Sequence, residues 1–136
     1  MDDVVQTSTA GRSFIRFQAG VPNRRGRYPG VFALVNGLSW AGRLSVVEEQ
    51  YRLHENAWYH AHLVDPSTVD RSVYDQKLNP GASAWFKSSA LEMIARARGY
   101  LMILDAHEIE WTCVDSDNPG EIVYDDAYQT IAKPVI

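Results

Sequence analysis

Ser89-Ala-Leu-Glu-Met-Ile-Ala-Arg-Ala-Arg-Gly-Tyr-Leu-Met-Ile-Leu-Asp-Ala-His107 runs directly into Glu108-Ile-Glu-Trp-Thr-Cys-Val114, and the apolar period changes between the two. In the first stretch Leu91, Ile94, Ala95, Ala97, Leu101 and Leu104 recur at three-and-four spacing. That spacing predicts a helix from Ser89 to about His107 with this stripe buried and Arg96 and Arg98 outside. Ser89 and Glu92 form a capping box at its start. In the second stretch Ile109, Trp111 and Cys113 alternate with Glu110, Thr112 and Val114, the period of a strand. A helix that hands over to strands at His107 sets the class as α+β.

Upstream, Ser45-Val-Val-Glu48 is a second capping box and launches a helix to about His62. Its stripe of Val46, Val47, Gln50, Leu53, Ala57 and Ala61 is expected in the core, with Glu48, Glu49, Arg52 and Glu55 toward water. Asp65-Pro66 ends it, because a residue before Pro is pushed away from helix. A first helix is expected from about Pro29 to Ala41, and a strand at Ser13–Gln18 precedes it. Residues 21–30 read as a loop and 69–84 as irregular, closing in Asn79-Pro80-Gly81. Downstream, Asp115 to Gly120 is a long turn, and Glu121–Tyr124 and Tyr128–Ala132 are strands joined at Asp125-Asp126. The expected architecture is three helices packed on one face of a small, mainly antiparallel sheet, made of an N-terminal strand and a C-terminal β-meander. Residues 13–136 form a single domain in this reading, and 1–12 a flexible N-terminus.

A length of 136 residues with 46% hydrophobic and 22% charged content suits one globular domain and excludes disorder. Cys113 is the only cysteine, so no disulfide framework is possible. No run approaches the ~20 apolar residues of a membrane span, and the acidic start lacks a signal-peptide core. A cytoplasmic protein is expected. The net charge of −4 is unevenly spread. Residues 1–44 hold six Arg against two Asp, whereas Gly99 to Ala132 holds eight acids and no Lys or Arg. Such a chain is a poor general nucleic-acid binder, and its acidic part would attract a basic protein surface.

The motifs that carry chemistry are incomplete. His54-Glu55 opens like a zinc-protease helix, but the second ligand position holds Trp58. His60 and His62 diverge by about 200° on a helix. Cys113, mid-strand and without a basic neighbour, reads as a buried structural thiol. Arg24, Arg25 and Arg27, with Gly20, Gly26 and Gly30, form a loop that can hold phosphate through guanidinium groups and backbone amides. Trp85 and Lys87 stand before the last helix, where Trp85 is a core anchor or a hot spot for gripping a partner. Glu110, Glu121, Asp125 and Asp126 are the acids nearest the expected sheet. No metal or other cofactor is expected.

Glu121-Ile-Val-Tyr-Asp-Asp-Ala-Tyr-Gln129 resembles the last strand of ADP-ribosyltransferases. That resemblance implies a role for Glu121 in holding a nicotinamide ribose. Over residues 14–134, Gly30-Val-Phe32, Trp85-Phe-Lys-Ser-Ser-Ala90 and Pro119-Gly-x-Ile-Val-Tyr-x-Asp-x-x-Gln129 resemble a family of small bacterial and phage-like proteins. It implies a stand-alone domain and supplies no catalytic residues. Three functions are therefore expected in order. The first is a non-catalytic protein-binding module of inhibitor, immunity or regulatory type. The second is a small enzyme acting on a nucleotide or phosphorylated ligand, with a pocket joining the Arg loop to the C-terminal strands. The third is a homo-oligomer.

Overall fold

The structure is a computed structural model, and it describes residues 13–135. The expectation for residues 1–12 lies outside the described residues. In chain order the elements are β1 (Phe14–Ala19), α1 (Val31–Trp40), α2 (Val46–His62), the single turn α3 (Pro66–Val69), β2 (Ser83–Lys87), α4 (Leu91–Arg96), α5 (Arg98–Ala106), β3 (Trp111–Ser116), β4 (Glu121–Asp125) and β5 (Gln129–Lys133). The class is α+β with a small antiparallel sheet, as the change of period at His107 predicts.

The five strands are ordered β3-β1-β2-β5-β4. The C-terminal strands thus do not form a meander: β4 and β5 pair as a hairpin, while β3 goes to the opposite edge beside β1. What separates them is β1 and β2, and β2 begins at the end of the segment 69–84 that the sequence reads as irregular. Ser83-Ala-Trp-Phe-Lys87 is too short to display an alternation, yet its two aromatics suit a pleated surface. It pairs with β1 through Phe14↔Lys87 and with β5 through Trp85↔Thr130.

The described residues divide into two compact units. One comprises residues up to Arg16, Asp65–Leu91 and Val114 onward. Its core is built on β5, where Gln129, Thr130, Ile131 and Ala132 are all buried, together with Phe86 and Val73. Arg16 donates to the Ala84 carbonyl oxygen at 2.9 Å, and burial lowers its pKa from the ordinary arginine value. Gly120 enters the hairpin with φ +129°, and a Cβ there would strike the Lys133 carbonyl.

The other unit comprises Phe17–Val64 and Glu92–Cys113. Here α1 packs on α2 and α5. Val31, Val35 and Leu38 from α1 meet a layer containing Tyr100, Leu101, Ile103 and Leu104 from α5. Phe32, Tyr51, Tyr59 and Tyr100 form an aromatic cluster with edge-on contacts, such as Phe32–Tyr100 at 4.7 Å. Burial pushes the phenols of Tyr59 and Tyr100 well above the usual tyrosine range. The expected third helix is broken at Ala97 into α4 and α5. Leu91, assigned to its buried stripe, is exposed, and Met93, Ala97 and Tyr100 lie inside. Cys113 is exposed, because β3 is an edge strand; the expected buried thiol is thereby corrected. Among the described residues no helix is long and apolar enough to cross a membrane.

Candidate functional site

Helix α2 starts as its sequence predicts. Ser45 Oγ accepts from the Glu48 amide at 3.1 Å, and Glu48 accepts from the Ser45 amide at 2.9 Å. Its faces, however, are the reverse of the expectation. Val46 is 75% exposed and Leu53 55%, and Val47, Gln50, Ala57 and Ala61 also face water. Glu55 and Tyr59 are the residues it buries.

The competition between two stripes explains the reversal. Residues 46, 50, 53, 57 and 61 offer Val, Gln, Leu, Ala and Ala. Residues 51, 55, 58, 59 and 62 offer Tyr, Glu, Trp, Tyr and His. Three large aromatics bury on the order of 150–250 Å² each, more than the aliphatic stripe can, so they take the core side. Glu55, the acid among them, must then be paired, because an isolated buried charge is expensive. Glu55 receives two hydrogen bonds from Arg96, Nε to Oε1 at 3.0 Å and Nη2 to Oε2 at 2.9 Å. Arg96 lies over the Trp58 ring at 4.0 Å, and His62 stacks on Trp58 with ring centroids 4.2 Å apart. Glu48 is 3.0 Å from His107 Nε2, a hydrogen bond that holds its carboxyl below the usual range. Glu49 pairs with Arg52 and accepts from Ser39 Oγ at 2.8 Å. Each acid assigned to water is engaged internally.

The outward sector is left with Val46, Val47, Gln50, Leu53, Ala57 and Ala61, flanked by His54 and His60. It carries no Asp, Glu, Lys or Arg. At its foot Val46 and Gln50 line an open groove with Ser39, Gly42, Leu44, Ser45 and Glu49, whose carboxylate is held by Arg52 and Ser39. Next in the chain to Ser39 is Trp40, 93% exposed. Trp40 lies inside the helix expected from about Pro29 to Ala41, and the sequence analysis gives it no role; its signal is an aromatic beside Ala41-Gly42, where the helix stops.

The residues singled out from the sequence fall in both units. Arg24, Arg25 and Arg27 are exposed in a turn organised by Asn23, whose Oδ1 accepts the amides of Arg25 and Arg27 at 2.9 and 3.0 Å. The Gly26 amide goes to the Asn23 carbonyl. The amides of Arg25, Gly26 and Arg27 are therefore already used. In the same unit Glu110 is exposed, and its carbonyl accepts from Gly20 at 2.9 Å.

The other unit holds Trp85, Lys87, Glu121, Asp125 and Asp126. Lys87 Nζ meets Asp125 Oδ1 at 2.9 Å, and the buried Thr130 hydroxyl donates to the same oxygen at 2.8 Å. These bonds, Lys87 first, hold Asp125 below the usual carboxylate range. Trp85 is half-buried opposite Thr130. Asp126 ties the hairpin: Oδ1 accepts the Tyr128 and Gln129 amides, and Oδ2 accepts Tyr124 Oη and Gln129 Nε2. Glu121 is 3.7 Å from Lys133 Nζ, which also donates to the Leu78 carbonyl. Among the described residues no group of three or more His, Cys, Asp or Glu side chains is arranged to hold a metal ion.

Compared with known proteins, the chain matches no family model, no curated protein and no solved structure. Neither resemblance drawn from its motifs gains support there.

Proposed function

We propose that the protein is a non-catalytic protein-docking module and that the outward face of α2, with Trp40 at its foot, is the surface it docks with. The observation that carries this reading is the uncharged, aliphatic outer sector of a helix whose three acids are each held by a partner within the protein. Isolated exposed apolar residues are ordinary, but a contiguous apolar face marks an interaction site. Charged residues are depleted at interface centres, and Trp is enriched among the residues that dominate binding. The Arg loop and the acidic hairpin support binding less well, because the loop's amides and the hairpin's carboxylates are engaged within their own units.

Placing a photo-crosslinking benzoylphenylalanine at Leu53 in the living host tests this. The expected result is a discrete covalent adduct from position 53 and none from the same group at Glu121. Adducts from 121 alone would move the docking surface to the hairpin and overturn the reading.

A further inference from the structure

We infer that the occupant of this face is a second copy of the chain, with the two α2 helices packed antiparallel about a twofold axis near Leu53. The inference rests on the docking reading above and adds the identity and orientation of the partner.

Four observations converge. First, Val46, Gln50, Leu53 and Ala57 follow a four-three-four spacing, the seam along which two helices interlock side chains. Second, the seam is graded. Val46, Val47, Gln50 and Leu53 occupy its first half, and Ala57 and Ala61 its second. Reversing one copy about an axis between residues 53 and 54 lays the bulky half on the alanines, Val46 over Ala61 and Gln50 over Ala57, with the two Leu53 side chains neighbours at the axis. A parallel pair would oppose bulk to bulk and leave a gap where Ala faces Ala, which close packing disfavours. Third, antiparallel pairing opposes the two helix dipoles, which a parallel pair would align.

Fourth, the area is of the right order. The 17-residue helix is roughly 25 Å long. Its six outward side chains, at roughly 100 Å² for each of the larger ones, supply more than half of the ~800 Å² per partner of a stable interface.

Sedimentation velocity of the full chain tests this. The expected result is a dimer at ~100 μM wild-type protein, with Leu53→Glu weakening self-association at least ~100-fold while its circular dichroism stays unchanged. Should Leu53→Glu misfold, Gln50→Arg at the same seam serves instead. In a Cys113→Ser background, copper-phenanthroline oxidation should crosslink Leu53→Cys to itself. It should also crosslink Val46→Cys to Ala61→Cys, but not Val46→Cys to itself. Self-crosslinking of Val46→Cys would overturn the antiparallel order. A wild-type monomer at ~100 μM would overturn the second copy as occupant, leaving the docking face to the in-cell adduct at position 53. A dimer that persists in both seam variants would remove α2 from the dimer interface and overturn the second copy as occupant of this face, again leaving the docking reading to the in-cell adduct at position 53.

Discussion

Helix α2 and the β4–β5 hairpin are the two most acid-marked elements of the molecule, and they use their acids in the same way for opposite ends. In the hairpin, Asp125 and Asp126 bind Lys87, Thr130, Tyr124 and the turn amides, while the apolar residues of β5 go inward. In α2 the acids also turn to protein partners, but the aliphatic residues are left outside. The hairpin is therefore a finished piece of structure, and α2 is a piece with one face unspent. Net charge along a chain does not say what its surface offers; which groups are already paired does.

The comparison can be broken at the acids. The largest effect is expected at Glu55, whose loss removes both of its hydrogen bonds to Arg96 and leaves the part-buried guanidinium only the exposed Glu92, at 3.7 Å. Glu55→Ala should lower the urea-derived stability by about 3 kcal/mol. Replacing Glu55 and Arg96 together by Met should recover most of that. Next comes Gly120→Ala, which combines a strained φ with a collision against the Lys133 carbonyl and should cost about 2–3 kcal/mol in thermal unfolding. Asp126→Ala should cost about 2 kcal/mol by releasing four hydrogen bonds at the hairpin turn.

The pH dependence of stability sharpens the same point. Burial pushes the Asp126 carboxyl up, but the hydrogen bonds from the Tyr128 amide, Tyr124 and Gln129 prevail and hold it below its ordinary value of 3.8. A depressed folded pKa stabilises the protein above the unfolded value, and that stability is lost as pH falls through the folded pKa. Glu48, lowered mainly by His107, behaves alike. Unfolding midpoints followed from pH 5 downward should therefore fall through the acid range, less steeply in Asp126→Asn. The smallest effect belongs to the half-exposed Lys87–Asp125 pair, where Lys87→Met should change stability by no more than about 1 kcal/mol.

Much of the fold was legible because its signals are local. The Ser45–Glu48 box, the change of period after His107 and the Asp125-Asp126 turn are each decided by residues a few positions apart. β2 was not, since a five-residue strand held between β1 and β5 is defined by its neighbours and not by its own pattern. The break at Ala97 was equally hidden. At the site, the spacing of α2 was legible but its facing was not. Two stripes compete on that helix, and an aliphatic period alone gives no weight to Tyr51, Trp58 and Tyr59. Comparing the areas the two stripes can bury would have chosen the aromatic side and left Val46 and Leu53 to solvent. The Arg loop was recognised as a loop, yet Asn23's capture of its amides depends on side-chain geometry that composition does not carry.

The most direct test of the inverted helix is urea unfolding of the double variant Val46→Ser/Leu53→Ser, at a concentration where the protein sediments as a monomer. Two exposed side chains should leave the stability within about 1 kcal/mol of wild type. A loss of about 4 kcal/mol or more, the scale for emptying two core positions, would mean that this face is the core and would contradict the account.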